Sequence, residues 1–351
     1  MSPMSDWKRR LSKLGYPDTP RAERRIPSGF AARKGNGADS RAATIQDISS
    51  TGFYLLTEER WPLGEITACT IQIEGAPRGA DAEFSVQVKV ARHDKDGIGL
   101  SFVLPPGVDP QLWELLIEKA ATLRKQEGIE FMFRMLRAVL LLSRLCGAGA
   151  NHIIQLFGGE LDEARTETAV QIAIEAEKLL ASEPGAASLR AHPEHVAHLI
   201  KFGSWSIGSL SKQLWAGLLA TSCTPDGTDE SNRQYVDLLV NVTPTQALIF
   251  VVACNKALDV MSENEDHPST RITFTPEEMK HLTGKTDLTR VATDIAYLFH
   301  SGLLDKNFDF TSYIPTENFD ITPARLGMEV YRKCKGHFAD AHSVIGKVEG
   351  A

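Results

Sequence analysis

Residues 84–90 alternate strictly: Phe84, Val86, Val88 and Val90 are separated by Ser85, Gln87 and Lys89. A period of two sends every second side chain to the same face, so this stretch is predicted to be a strand with one buried side. Similar runs at 43–48, 52–57, 68–73 and 97–103 are bounded by Gly, Pro and Asp. Together they predict short antiparallel strands arranged as a barrel or sandwich. Residues 93–97, HDKDG, are predicted as a hairpin turn with Gly97 at a position that tolerates positive φ.

Beyond the break at Pro105, Pro106 and Pro110 the period becomes helical. Leu112, Leu115, Leu116 and Leu123 predict a helix over 111–125 that would cap the barrel. Further helices are predicted over 131–146, 163–181, 208–222, 232–241 and 244–261, with Pro or Gly between them. Pro244, following Thr243, suits a first helical position, where its missing N–H costs nothing. Residues 272–335 have the order of a winged helix. FTPEEMKHL is a capped helix, Thr286 or Asp287 caps a second running to His300, residues 303–323 supply two short strands as a wing, and 323–335 form a terminal helix. At the N-terminus, Trp7, Leu11 and Leu14 predict a short amphipathic helix over 6–14, followed by a proline-containing linker over 16–20. The expected organisation is multidomain α+β. Residues 1–19 are a helix and linker, 20–127 a β-barrel with a C-terminal helix, 128–262 an all-α domain, and 263–351 a winged-helix-like module and tail.

The polar positions between linker and barrel carry the clearest chemistry. Arg21 and Arg25 stand four apart, and Asp47, Ser49 and Gly52 follow at a tight turn between two predicted strands. An arginine fork suits phosphate and the O6/N7 edge of guanine. A carboxylate accepts from guanine N1 and N2, which arginine cannot do. A ligand containing both guanine and phosphate would use both halves.

The segment 20–104 resembles the PilZ domain, the bacterial receptor for cyclic di-GMP, whose signature is RxxxR followed by [DN]xSxxG. Arg21 and Arg25 match the first half, and Asp47, Ser49 and Gly52 the second. GIGLSFV at 97–103 resembles the last strand of that domain. The resemblance implies a six-stranded antiparallel barrel. It also implies that the two arginines clamp phosphates and guanine Hoogsteen edges while Asp47 and Ser49 hold a guanine. Many PilZ domains carry a third arginine just before the pair; here Pro20 stands there and Arg24 lies inside the motif. How many ligand molecules one barrel holds stays open. Residues 214–250 resemble the Abi-alpha family of abortive-infection proteins through Trp215, Leu218, Leu219, Ala220, Leu238, Leu239, Thr243, Pro244 and Ala247. Those are packing and capping positions, so that resemblance implies fold more than chemistry.

Net charge is −7, which argues against general nucleic-acid binding, although the first forty-one residues are basic and leave room for a local anion site. The predicted recognition helix of the winged module offers only Arg290 and His300 as donors. Its wing carries Asp305, Asp309, Glu317 and Asp320, so protein docking is expected there and DNA is not. Cys69, Cys146, Cys223, Cys254 and Cys334 share no short spacing and are expected to be reduced, buried thiols. No signal peptide and no membrane span are expected, and the location is expected to be cytoplasmic. His192, His195 and His198, three apart, define no zinc site without a Cys or carboxylate partner, and are expected at a surface or helix start. No catalytic signature is present, so no enzyme, no metal and no cofactor is expected. The function expected is that of a cyclic di-GMP receptor transmitting ligand binding to a C-terminal helical region that docks an unknown protein partner. The alternative is a ligand-independent interaction or phage-defence protein.

Overall fold

The computed structural model describes residues 26–35, 41–49, 51–73, 83–104, 108–110, 114, 129–263, 271–305 and 318–336. The expected helix over 6–14, the pair Arg21 and Arg25, most of the expected helix over 111–125 and the wing residues 306–317 lie outside these. The chain divides into two compact units, residues 1–104 with 113–133, and residues 105–112 with 134–351.

In the first unit, β-branched and aromatic residues at alternate positions form six strands: β1 (Ile26–Lys34), β2 (Ala43–Ser49), β3 (Gly52–Leu56), β4 (Ile66–Ile73), β5 (Glu83–His93) and β6 (Gly97–Phe102). They close into an antiparallel barrel of order β1-β2-β3-β6-β5-β4. All five strands predicted for this unit are present. The alternation read in 84–90 holds, with Phe84, Val86, Val88 and Val90 buried and Ser85, Gln87 and Lys89 exposed. Ile45, Leu55, Ile71 and Ile98 complete the interior. Phe133 packs on Phe84 edge to face at 4.8 Å and on Phe30 at 5.7 Å, adding an aromatic cluster to this core.

One feature of the barrel differs from expectation and a second was not anticipated. The HDKDG segment is a hairpin turn, Asp94 N–H donating to the Gly97 carbonyl at 2.9 Å, but Gly97 does not have positive φ. Glycine is needed there for space: a Cβ would lie 2.1 Å from the Leu55 carbonyl oxygen of the neighbouring strand. Arg33 on β1 is a buried charge, 5% exposed. It donates to both Glu83 oxygens, at 3.1 and 2.8 Å, and to Gln72 Oε1 at 3.0 Å. The hydrogen bond to Glu83 raises its pKa against the opposing effect of burial.

The helical region begins with α1 (Ile129–Cys146), whose first residues to Phe133 belong to the barrel unit. It continues through α2 (Ala150–Gln155), α3 (Glu163–Ala181), α4 (Pro193–Gly203), α5 (Ser209–Thr221), α6 (Arg233–Val240) and α7 (Pro244–Glu263). Then come β7 (Thr273–Phe274), α8 (Pro276–Thr283), α9 (Leu288–His300), β8 (Phe319–Asp320) and α10 (Arg325–Cys334). Helices α2 and α4 were not anticipated. Caps explain several starts: Thr275 and Glu278 form a capping box on α8, and Asp287 accepts from the Thr289 and Arg290 amides on α9. Within 303–323 the described strand β8 pairs antiparallel with β7, upstream of α8.

Helix α5 is central to the second unit. It packs on α3 and on α10, where Gly217 lets the helices approach so closely that a Cβ would lie 1.7 Å from the Cys334 carbonyl oxygen. Tyr331 stacks edge to face on Phe250 of α7. All five cysteines are free and buried, as expected. Burial pushes the Cys69 and Cys223 thiols up to about 12. No helix among the described residues is long and apolar enough to cross a membrane.

Candidate ligand-binding cleft on the barrel

The β2–β3 hairpin turns in two residues, with Ser49 paired to Gly52. The Ser49 hydroxyl donates to the Gly52 carbonyl at 3.1 Å and lies 3.1 Å from the Thr51 hydroxyl, so it closes the turn. Gly52 has φ +156°, and a Cβ there would lie 1.9 Å from the Leu100 carbonyl oxygen of β6. Both its backbone angle and its surroundings therefore demand glycine.

Cross-strand register explains how Asp47 is aimed. Ile45 pairs with Leu55 and Asp47 with Tyr54, leaving Gln46 as the extra residue of a β-bulge. Without that bulge, strict alternation from buried Ile45 would turn Asp47 inward; with it, Asp47 and Ser49 share the outer face. Continuing across the barrel, Tyr54 pairs with Gly99, and Gly99 with Arg92. The row Asp47–Tyr54–Gly99–Arg92 thus crosses β2, β3, β6 and β5. Two residues along, Ser49, Gly52 and Ser101 form a second row with Lys89.

All of these residues except Lys89 line an open cleft with about 470 Å³ of free space, part of it open to solvent. The Tyr54 ring is buried although it faces outward. Its hydroxyl donates to Asp96 at 2.8 Å, and burial, followed by that bond, pushes its pKa up to about 12. The phenol is a neutral floor. Arg92 extends over this floor, its guanidinium carbon 5.6 Å from the ring centroid. The site therefore offers a carboxylate and hydroxyls at one side, an aromatic floor and a cation at the other.

Of the sequence-predicted residues, Asp47, Ser49 and Gly52 all line this cleft, while Arg21 and Arg25 lie outside the described residues. Tyr54, Gly99, Ser101 and Arg92 also line it and were not singled out from the sequence. Two glycines at alternate positions in GIGLSF were the available signal, since a strand glycine marks a close approach on its face.

The three histidines depart from expectation in part. His192 stands at the N-cap of α4, a helix start, but His195 is 3% exposed, not a surface residue. Its Nε2 lies 3.1 Å from the Ser222 hydroxyl, which itself donates to the Leu218 carbonyl at 2.7 Å. With the hydroxyl proton so placed, His195 is the donor to Ser222, so the pair is not arranged as nucleophile and base. Among the described residues no group of three or more His, Cys, Asp or Glu is placed to hold a metal ion.

Residues 19–118 match the PilZ domain. The PilZ match covers both arginines, the three motif residues on the cleft and all six strands; the helical region from 134 onward lies beyond it. The closed six-stranded barrel agrees with the PilZ expectation drawn from the sequence. No curated protein and no solved structure matches the chain.

Proposed function

We propose that the barrel is a cyclic di-GMP receptor and that the helical region is its output module. The observation that carries the reading is the convergence of Asp47, Ser49 and Gly52 on one outward cleft of a barrel within a PilZ match. Asp47 accepts from guanine N1 and N2, Ser49 fixes the turn that presents it, and Gly52 lets that turn lie flat on β6. The arginine pair supplies the phosphate and Hoogsteen contacts. In the sequence Arg25 directly precedes Ile26, the first residue of β1, and β1 pairs with β2, the strand that carries Asp47. Ligand contacts to both motifs would therefore fasten the segment preceding β1 to the cleft, and the shift this produces is bounded by the ligand's differential affinity for the two arrangements.

The output is docking of a protein partner by the winged-helix-like C-terminal part. The exposed positions of α9 are Thr289, Arg290, Thr293 and His300, next to the exposed N-cap Asp287, a face with too few cations for DNA. Residues in the Abi-alpha-like stretch, among them Trp215, Leu218, Leu219, Leu239 and Ala247, are core residues, in keeping with a scaffold role. Receptor action needs no catalytic group.

Titration calorimetry with cyclic di-GMP on the wild type, Arg25→Ala and Asp47→Ala tests the reading. Binding by wild type and strong loss in both variants is expected. No heat with wild type, or equal binding by all three proteins, overturns it.

A further inference from the structure

We propose that Arg92 is a ligand-contacting residue of the cleft, donating to a phosphate of the bound dinucleotide from the side opposite Asp47. The proposal rests on the cyclic di-GMP reading above and names a contact that lies outside both sequence motifs.

The observation behind it is a second β-bulge. On β5, Val90 pairs with Leu100 and Arg92 with Gly99, so Ala91 is the extra residue. Val90 is an inward residue of the core, and uninterrupted alternation would turn Arg92 inward beside Ile98. The bulge rotates it outward into the row of Asp47 instead. Two bulges, at Gln46 and Ala91, lie on the strands flanking the β3–β6 pair, and each puts a charged side chain onto the same outer face. Bulges commonly re-aim side chains next to functional sites.

The neighbours of Arg92 are built to hold it there. Gly99 lies beneath it, and a Cβ on Gly99 would come within 2.8 Å of the Arg92 Cγ. Tyr54 lies under the guanidinium. The ion-pair partner is Asp94, at 3.1 Å, with both side chains about half exposed. An exposed pair of this kind is worth little and exchanges readily for a stronger acceptor. Arg92 is the only Lys or Arg lining the cleft among the described residues.

Chemistry then assigns the contact. Asp47 repels phosphate and takes the donor edge of a guanine. Three strand spacings of roughly 4.8 Å separate the Cα atoms of Asp47 and Arg92 along the barrel wall, more than one base spans. A dinucleotide with a base on Asp47 therefore places its anionic backbone toward the Arg92 side, where a guanidinium fork suits it.

Titration of cyclic di-GMP into wild type, Arg92→Ala, Arg92→Lys and Gly99→Ala at low and high salt is the test, with thermal melts checking that each variant folds. Arg92→Ala is expected to weaken binding by roughly tenfold or more and to reduce its salt dependence. Arg92→Lys should recover part of both effects. Gly99→Ala keeps the charge but lifts the side chain off its floor and should weaken binding to an intermediate degree. Wild-type binding matched by a folded Arg92→Ala, with an unchanged salt dependence, overturns this proposal alone. A wild type that does not bind overturns the receptor reading and this proposal with it.

Discussion

Gly52 and Leu100 approach so closely that the glycine's absent Cβ would lie 1.9 Å from the leucine carbonyl oxygen. The contact is backbone on backbone, so no rotamer change relieves it. Gly52→Ala should destabilise the barrel by at least about 1–3 kcal/mol from the backbone conformation alone, with displacement of β6 adding to that. A urea melt of the full chain followed by near-ultraviolet spectroscopy checks this. An unchanged barrel transition would contradict the geometry.

Arg33 and Glu83 give a second prediction. The Arg33 side chain is 6% exposed and that of Glu83 18%. Removing the carboxylate alone leaves a buried guanidinium without its bidentate acceptor, and Glu83→Ala should cost roughly 3–5 kcal/mol. Replacing both residues by apolar ones of similar volume, Arg33→Met with Glu83→Leu, should restore most of that stability. Denaturant midpoints of the two single variants and the pair, read as a double-mutant cycle, decide it.

His195 predicts an acid limb of stability in the helical unit. Burial holds its pKa down at about 4, against an ordinary imidazole value of 6.5, with Glu230 raising it and His198, Arg233 and His192 lowering it further. The neutral form is the one that folds. Stability is therefore full above 6.5 and declines as pH falls toward 4, because the unfolded chain takes up the proton first; the total is on the order of 3 kcal/mol. Melting temperature measured across that window should fall more steeply for wild type than for His195→Gln. Equal slopes would refute this assignment.

Much of this molecule is legible from residue order. The alternation of 84–90, the glycines at strand ends and the caps at Thr275 and Asp287 each translate directly into an element. The first strand resisted because Phe30, Ala31, Ala32 and Arg33 are all buried, which erases any period of two. Arg33 is accommodated inside by Glu83, fifty residues on, together with Gln72. Helix α4 was missed since its buried side includes a histidine, His195, beside Val196, Leu199 and Ile200. The cleft divides in the same way. Asp47, Ser49 and Gly52 form a local pattern, whereas Arg92 depends on a bulge at Ala91 that is set by pairing with β6. Plain counting from Val90 points Arg92 the wrong way.

Closure of the barrel has a consequence for how amide protons behave. Each of β3 and β6 is hydrogen-bonded on both sides, to β2 and to β5 respectively as well as to the other. Amides such as those of Tyr54 and Leu100 can exchange with solvent only when the cylinder itself opens, so they should be among the slowest in the first unit. A molecule resting against the outer wall breaks no ladder bond. Bound and free protein should then differ in deuterium uptake at the hairpin tip and the segment ahead of β1, while the staves of the barrel keep the same rates.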